Sequence, residues 1–142
     1  MIVVAAVDRS KEAKQIVAEA ATIAESLDVP LHLAHVISRS EFTEIGKKGS
    51  RDGQSADLDE IRETAAGFAH KGAEGINVPY EAVGLIGKPA EEIKKYADRK
   101  NAKYIVIGGR KRSPTGKALF GSVSQQILLN STCPVISVMS SK

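Results

Sequence analysis

Apolar runs of strand length alternate with amphipathic helical stretches almost from the first residue, and this alternation leaves the chain very few folds to choose from. Ile2 to Val7 (IVVAAV) is continuously apolar, as expected of a strand covered on both faces of a parallel sheet. Ser10 reads as an N-cap, and residues 11–27 place Ile16, Val17, Ala20, Ile23, Ala24 and Leu27 on one helical stripe. Asp28 to Pro30 breaks the pattern, and Leu31 to Ile37 (LHLAHVI) reads as the second strand. Residues 38–56 hold Gly46, Gly49 and Gly53 among mixed charges, which predicts a long flexible loop, of a length expected of a lid or of a partly disordered connection. A second helix then carries Leu58, Ile61, Ala65 and Phe68 on one face, and Val78 to Gly84 is the third strand. Pro89 suits the first turn of a third helix bearing Ile93 and Ala97. Ala102 to Gly108 is the fourth strand, Ser122 to Ser131 the fourth helix, and Pro134 to Met139 the fifth strand.

Five strands and four helices in strict alternation predict an α/β fold, a doubly wound five-stranded parallel sheet with right-handed crossovers. The 142 residues are one domain's worth, so a single domain over 1–142 is expected. In the strand order 3-2-1-4-5, the first and fourth strands lie side by side where the order reverses. Ligands of such sheets bind beyond the carboxyl ends of the strands at that reversal. The loop starting at Asp8 and the loop after Gly108 are therefore expected to meet.

Composition narrows the function. Tryptophan is absent and aromatics are 4%, so aliphatic residues build the core and base-stacking platforms for single-stranded nucleic acid are disfavoured. The net charge of +3 is concentrated in Arg110, Lys111, Arg112 and Lys117, a local patch rather than a basic protein. Cys133 is the one cysteine, which excludes an internal disulfide and fits a reducing compartment; its place before Pro134 suits a buried structural thiol. The opening MIVVAAVDRS has neither a basic lead-in nor a cleavage site, and its apolar run is too short to span a bilayer. A cytoplasmic protein without membrane attachment is the expectation. His32 and His35 are three apart on a strand and point to opposite faces, so they cannot share a metal, and no metal site is expected. His70, late in a helix, is expected to be solvated.

The loop after the fourth strand holds Gly108, Gly109, Gly116 and Gly121 with a basic run between them. Glycine admits positive φ and close approach to a ligand, and a helix starting at Ser122 would offer free N–H groups and partial positive charge to an anion. A phosphate cradle, a grip on nucleic acid and a solvated connection all remain readings of that loop. The P-loop pattern fails at Lys111 and Ala118, and no glycine follows the first strand as a dinucleotide fingerprint requires. Asp8 reads either as a ligand contact or as a cap for the first helix.

Three separated motifs occur in one order: IVVAAVDRS with Asp8, the HV that ends the second strand, and Gly108 with Gly121-Ser122 at the spacing G-x2-G-x9-G-[ST]. Together with GKPAEEI and the closing TCPVISV, they make the chain resemble the universal stress protein family, nucleotide-binding branch, over nearly its whole length. The family's second glycine is Lys111 here, where a left-handed backbone would cost roughly 1 kcal/mol or more. The resemblance implies a fold like that of the adenine nucleotide alpha hydrolases. It also implies binding of ATP or AMP, with or without Mg²⁺, and a stress-response role. Asp8 would contact the nucleoside beside Ala6 and Val7, Val36 would line the adenine slot, and Gly108, Gly121, Ser122 and Val123 would surround ribose and phosphates. Arg110 and Lys111 are added on charge alone. A homodimer through the apolar C-terminal edge strand is implied as well. A dimeric adaptor without nucleotide and a slow ATPase stand as the alternatives; a dedicated catalytic base is not evident, and nucleic acid is not the expected partner.

Overall fold

The computed structural model describes residues 1–49, 58–111 and 118–140, leaving aside the side chains of 45–49, 110–111 and 118–119. The elements run β1 (Ile2–Ala6), α1 (Ala13–Leu27), β2 (Leu31–Ile37), α2 (Arg39–Gly49), α3 (Leu58–Lys71), β3 (Tyr80–Ile86), α4 (Pro89–Arg99), β4 (Ala102–Lys111), β5 (Ala118–Leu119), α5 (Ser122–Asn130) and β6 (Val135–Ser140). β1 pairs in parallel with β2 and with β4, β2 with β3, and β4 with β6. With β6 as the fifth strand of the sequence pattern, this is the expected 3-2-1-4-5 order.

The apolar run of β1 explains its central place. Val3, Val4 and Ala5 are wholly buried, and alternate residues serve opposite layers. Val3 and Ala5 pack with Ile16, Val17, Ala20 and Ala24 of α1. Ile2 and Val4 pack with Ile93 and Ala97 of α4 and Ile127 of α5. A third cluster, Ile37, Ile61 and Ala65 with Phe42 and Phe68, lies under α2 and α3. Each fully buried Val or Ile contributes about 1.5–3 kcal/mol of transfer free energy, so the sheet is secured from both sides.

Three local departures from the sequence reading follow from identifiable contacts. Residues 39–49 are helical where a loop is expected. Ser38 starts that helix, accepting the Phe42 N–H at its carbonyl (2.8 Å) and the Glu41 N–H at its hydroxyl (3.3 Å). Residues 50–57, with Gly53, lie outside the described residues. Secondly, α1 begins at Ala13 rather than after Ser10; Glu12 holds the cap position and makes no side-chain cap bond. Lastly, β4 runs on past Gly108 to Lys111 and forms an antiparallel pair with β5, Arg110 opposite Leu119 and Lys111 opposite Ala118. Arg112, Gly116 and Lys117 lie outside the described residues.

Candidate functional site at the carboxyl ends of β1 and β4

β1 and β4 are hydrogen-bonded neighbours, with Ala5 opposite Val106, and the chain leaves both at the same end of the sheet. Between the two exits opens a cavity of about 690 Å³, a size common for small-molecule sites. Ala34 and Val36 of β2, Pro89 and Ile93 of α4, Ile16 and Ile127 supply apolar wall, while Asp8, Ser10, Glu12, Gln15, His35, Glu41, Ser122 and Ser124 supply polar groups.

Ala6, Val7, Asp8, Val36, Gly108, Gly121, Ser122 and Val123 all line this one cavity. The side chains of Arg110 and Lys111 lie outside the described residues; the backbone of Lys111 is paired in an extended ladder, not the left-handed turn weighed for that position.

Asp8 organises the turn that leads into α1. Its Oδ1 accepts the Ser10 N–H (3.0 Å) and the Ser10 hydroxyl (2.5 Å), an Asx turn that spends one carboxylate oxygen on local structure. The capping reading is thus met in altered form, since Asp8 and Ser10 shape the approach to the helix rather than its first turn.

The glycines act through their lack of a side chain and not through unusual backbone. Gly121 is extended (φ −66°, ψ 167°), and a β-carbon there would meet nothing within 4 Å, so the space beside it belongs to the cavity. At Gly108 a β-carbon would lie 2.6 Å from Ile16 Cδ1; its smallness admits α1 against the strand end. Gly121 is the N-cap of α5 and caps it with no side chain, so the first N–H groups of α5 are left for an outside acceptor. Ser124 Oγ donates to the Gly108 carbonyl (2.9 Å), fixing the helix start against β4.

Sequence reasoning missed His35 and Glu41. His35 is 5% exposed, donates from Nδ1 to the Val7 carbonyl (2.7 Å) and sets its ring edge-on to Phe68 at 5.3 Å. Its Nε2 stands 3.6 Å from Glu41 Oε2, and Arg9 Nη1 stands 3.9 Å from the same oxygen. The Arg9 guanidinium lies 4.2 Å over the Phe68 ring. The HV pair was a usable signal for His35, but Glu41 sits in the stretch read as a loop.

His32 lies on the face of β2 opposite to His35, as the strand period requires, and toward the other end of the strand from the cavity. Its Nδ1 meets the Tyr96 hydroxyl (2.5 Å) and its Nε2 lies 3.3 Å from Glu81. Burial pushes His32 below the usual imidazole range and holds Tyr96 above the usual phenol range. The phenol therefore keeps its proton and donates it to a neutral ring. His70 is exposed, as expected, and is hydrogen-bonded to the Tyr80 hydroxyl. Cys133 is half-buried rather than buried. Among the described residues no helix is long and apolar enough to cross a membrane, and no group of three or more His, Cys, Asp or Glu could hold a metal.

Residues 1–138 match the model of the universal stress protein family. A universal stress protein of Methanocaldococcus jannaschii is 32% identical over 123 residues, covering 87% of this chain and 72% of that one. A universal stress protein structure from Archaeoglobus fulgidus is 33% identical, with a TM-score of 0.62 and coverage of 96% and 97% of the two chains. Another, from the same organism and solved in complex with dAMP, is 25% identical, with a TM-score of 0.58 over 96% of each chain. Motifs, sheet order and these likenesses agree: the chain belongs to the universal stress protein family.

Proposed function

We propose that the cavity binds an adenine nucleotide, ATP or AMP, and that the protein is a regulatory stress-response module acting through binding. The observation that carries this reading is that Asp8 and the uncapped start of α5 line the same cavity. Apolar walls at Val36 and Ile93 suit a flat base, and Asp8 retains acceptor capacity for a ribose hydroxyl. The amides at Ser122 and Val123, the Ser122 hydroxyl and the bare Gly121 suit a phosphate tail at a helix N-terminus, with Gly108 beside them. Arg110 and Lys111 enter the proposal on the charge of their residue types alone. The A. fulgidus relative bound to dAMP supports the same ligand class. Mg²⁺ would come with the phosphates, since such ions are held mainly by phosphate, water and one or two carboxylates.

Calorimetry with ATP and AMP tests the reading. Binding is expected, weakened about tenfold by Ser122→Ala through loss of a charge-assisted hydrogen bond. Gly121→Val, which fills open space, should weaken it further at unchanged melting temperature. Silence of the unaltered protein at millimolar nucleotide would overturn the reading and leave a nucleotide-free adaptor. Steady phosphate release abolished by Asp8→Ala would instead show turnover. A homodimer joined through β6 belongs to the same proposal.

A further inference from the structure

We infer that His35 and Glu41 share one proton between Nε2 and Oε2, and that this proton ties α2 to the acidic wall of the cavity, making His35 a positioning residue for the site. The argument starts from the tautomer. The Val7 carbonyl can only accept, so Nδ1 at 2.7 Å carries a hydrogen, and a neutral ring would present a bare lone pair at Nε2. That nitrogen faces Glu41 Oε2 at 3.6 Å, and both atoms are shielded from solvent without a hydrogen-bond partner among the described residues. Because neither atom is accessible to a water-sized probe, water does not supply the missing partner. Two buried acceptors left facing each other are strongly unfavourable; one proton turns them into a charge-assisted pair.

The neighbouring cations work against that proton, so the contact with Glu41 has to hold it. Arg9, from the turn after β1, stands 3.9 Å from the same carboxylate oxygen and stacks on Phe68. Lys71 of α3 lies 5.8 Å from the centre of the Phe68 ring. From the turn after β1 the Val7 carbonyl accepts from the ring, and the neighbouring Asp8 has one oxygen engaged by Ser10. Glu41 is the one carboxylate paired with His35 among the described residues.

The mechanical consequence follows from what each ring nitrogen holds. Nδ1 holds the carbonyl directly before Asp8, and Nε2 holds the first turn of α2. Without the shared proton the carboxylate is repelled and α2 loses its tie to the ring, while Nδ1 keeps its bond to Val7 and so couples any shift of the ring to the segment that leads into Asp8. The effect on ligand affinity rests on the nucleotide reading above; the proton itself does not.

Two measurements keep those apart. Nitrogen-15 spectra of the ligand-free protein should show both His35 ring nitrogens protonated, and only Nδ1 protonated in Glu41→Gln, whose amide donates to the lone pair. A His35 ring with a single protonated nitrogen, unchanged by Glu41→Gln, overturns the inference. AMP titrations at one fixed pH, above the phosphate's own ionisation near about 6, supply the second readout. Glu41→Gln, which keeps a hydrogen bond to the ring, should bind about as tightly as the unaltered protein. His35→Asn, which keeps a donor for Val7 but has nothing to face Glu41, should bind several-fold more weakly than Glu41→Gln. If the unaltered protein ignores AMP, the nucleotide reading fails while the ring spectra still decide the proton. If it binds AMP and His35→Asn binds as tightly as Glu41→Gln, the positioning role fails and the nucleotide reading stands.

Discussion

His32 shows how one residue translates burial into pH dependence. Burial disfavours its charged form, and the attraction of Glu81 offsets this only in part. The unfolded chain therefore takes up a proton more readily than the folded one. Stability from this neutral ring is fully present above about pH 6.5, the ordinary imidazole value, and is lost as pH falls through that range. His32→Gln should accordingly flatten the decline of urea-unfolding midpoints between about pH 7 and 5; an unchanged slope would assign the acid sensitivity to other groups. At this scale the family resemblance pointed to Asp8, Val36, Gly121 and Ser122, and all four line one cavity. The sequence concealed the partnership of His35 with Glu41, which depends on how the chain folds back after β2. It also misjudged the reason for Gly108, where the neighbour that demands a small residue is Ile16, ninety-two positions away in the chain.

Elements are legible where one period dominates. α1 and α4 announce themselves through stripes of Ile and Ala, and β1 through an unbroken apolar run. α2 escaped because Gly46 and Gly49 are poor helix formers, each about 1 kcal/mol worse than Ala, and few apolar residues mark its buried face. Its hold comes from the Ser38 cap and Phe42, neither of which needs a repeating pattern. The packing of α3 on β3 offers a contrast between two glycines. A β-carbon at Gly84 would fall 1.9 Å from the Arg62 carbonyl oxygen and 2.8 Å from the Ala66 nitrogen, both helix backbone. Gly84→Ala should lower stability by at least about 1–3 kcal/mol, as overpacking does. Gly121→Ala, with nothing in its way, should melt within error of the unaltered protein. Calorimetric scans of the two variants side by side check both expectations.

For the whole molecule, alternation of strand and helix predicted a parallel sheet, and in the 3-2-1-4-5 order β1 meets β4, where the candidate cavity opens. The antiparallel turn-back of β5 escaped notice because two residues carry no period. Among the described residues β6 pairs only with β4, and its Val135, Ile136, Val138 and Met139 are half-buried. An apolar edge of this kind suits pairing with a second copy. Val138 also packs into the core beneath α1, so the test belongs at Ser137. Ser137→Lys should shift the mass measured by light scattering from dimer to monomer, and dimers persisting at nanomolar concentration would exclude this edge. Stability is also unevenly shared. α5 is nine residues long and anchored by one buried side chain, Ile127, with Leu129 left 75% exposed. That helix should be the first to peel from the fold, so deuterium should enter its amides ahead of those in β1 and β4. Any guest seated against its opening turn would slow that entry, letting an exchange map locate the guest before its identity is known.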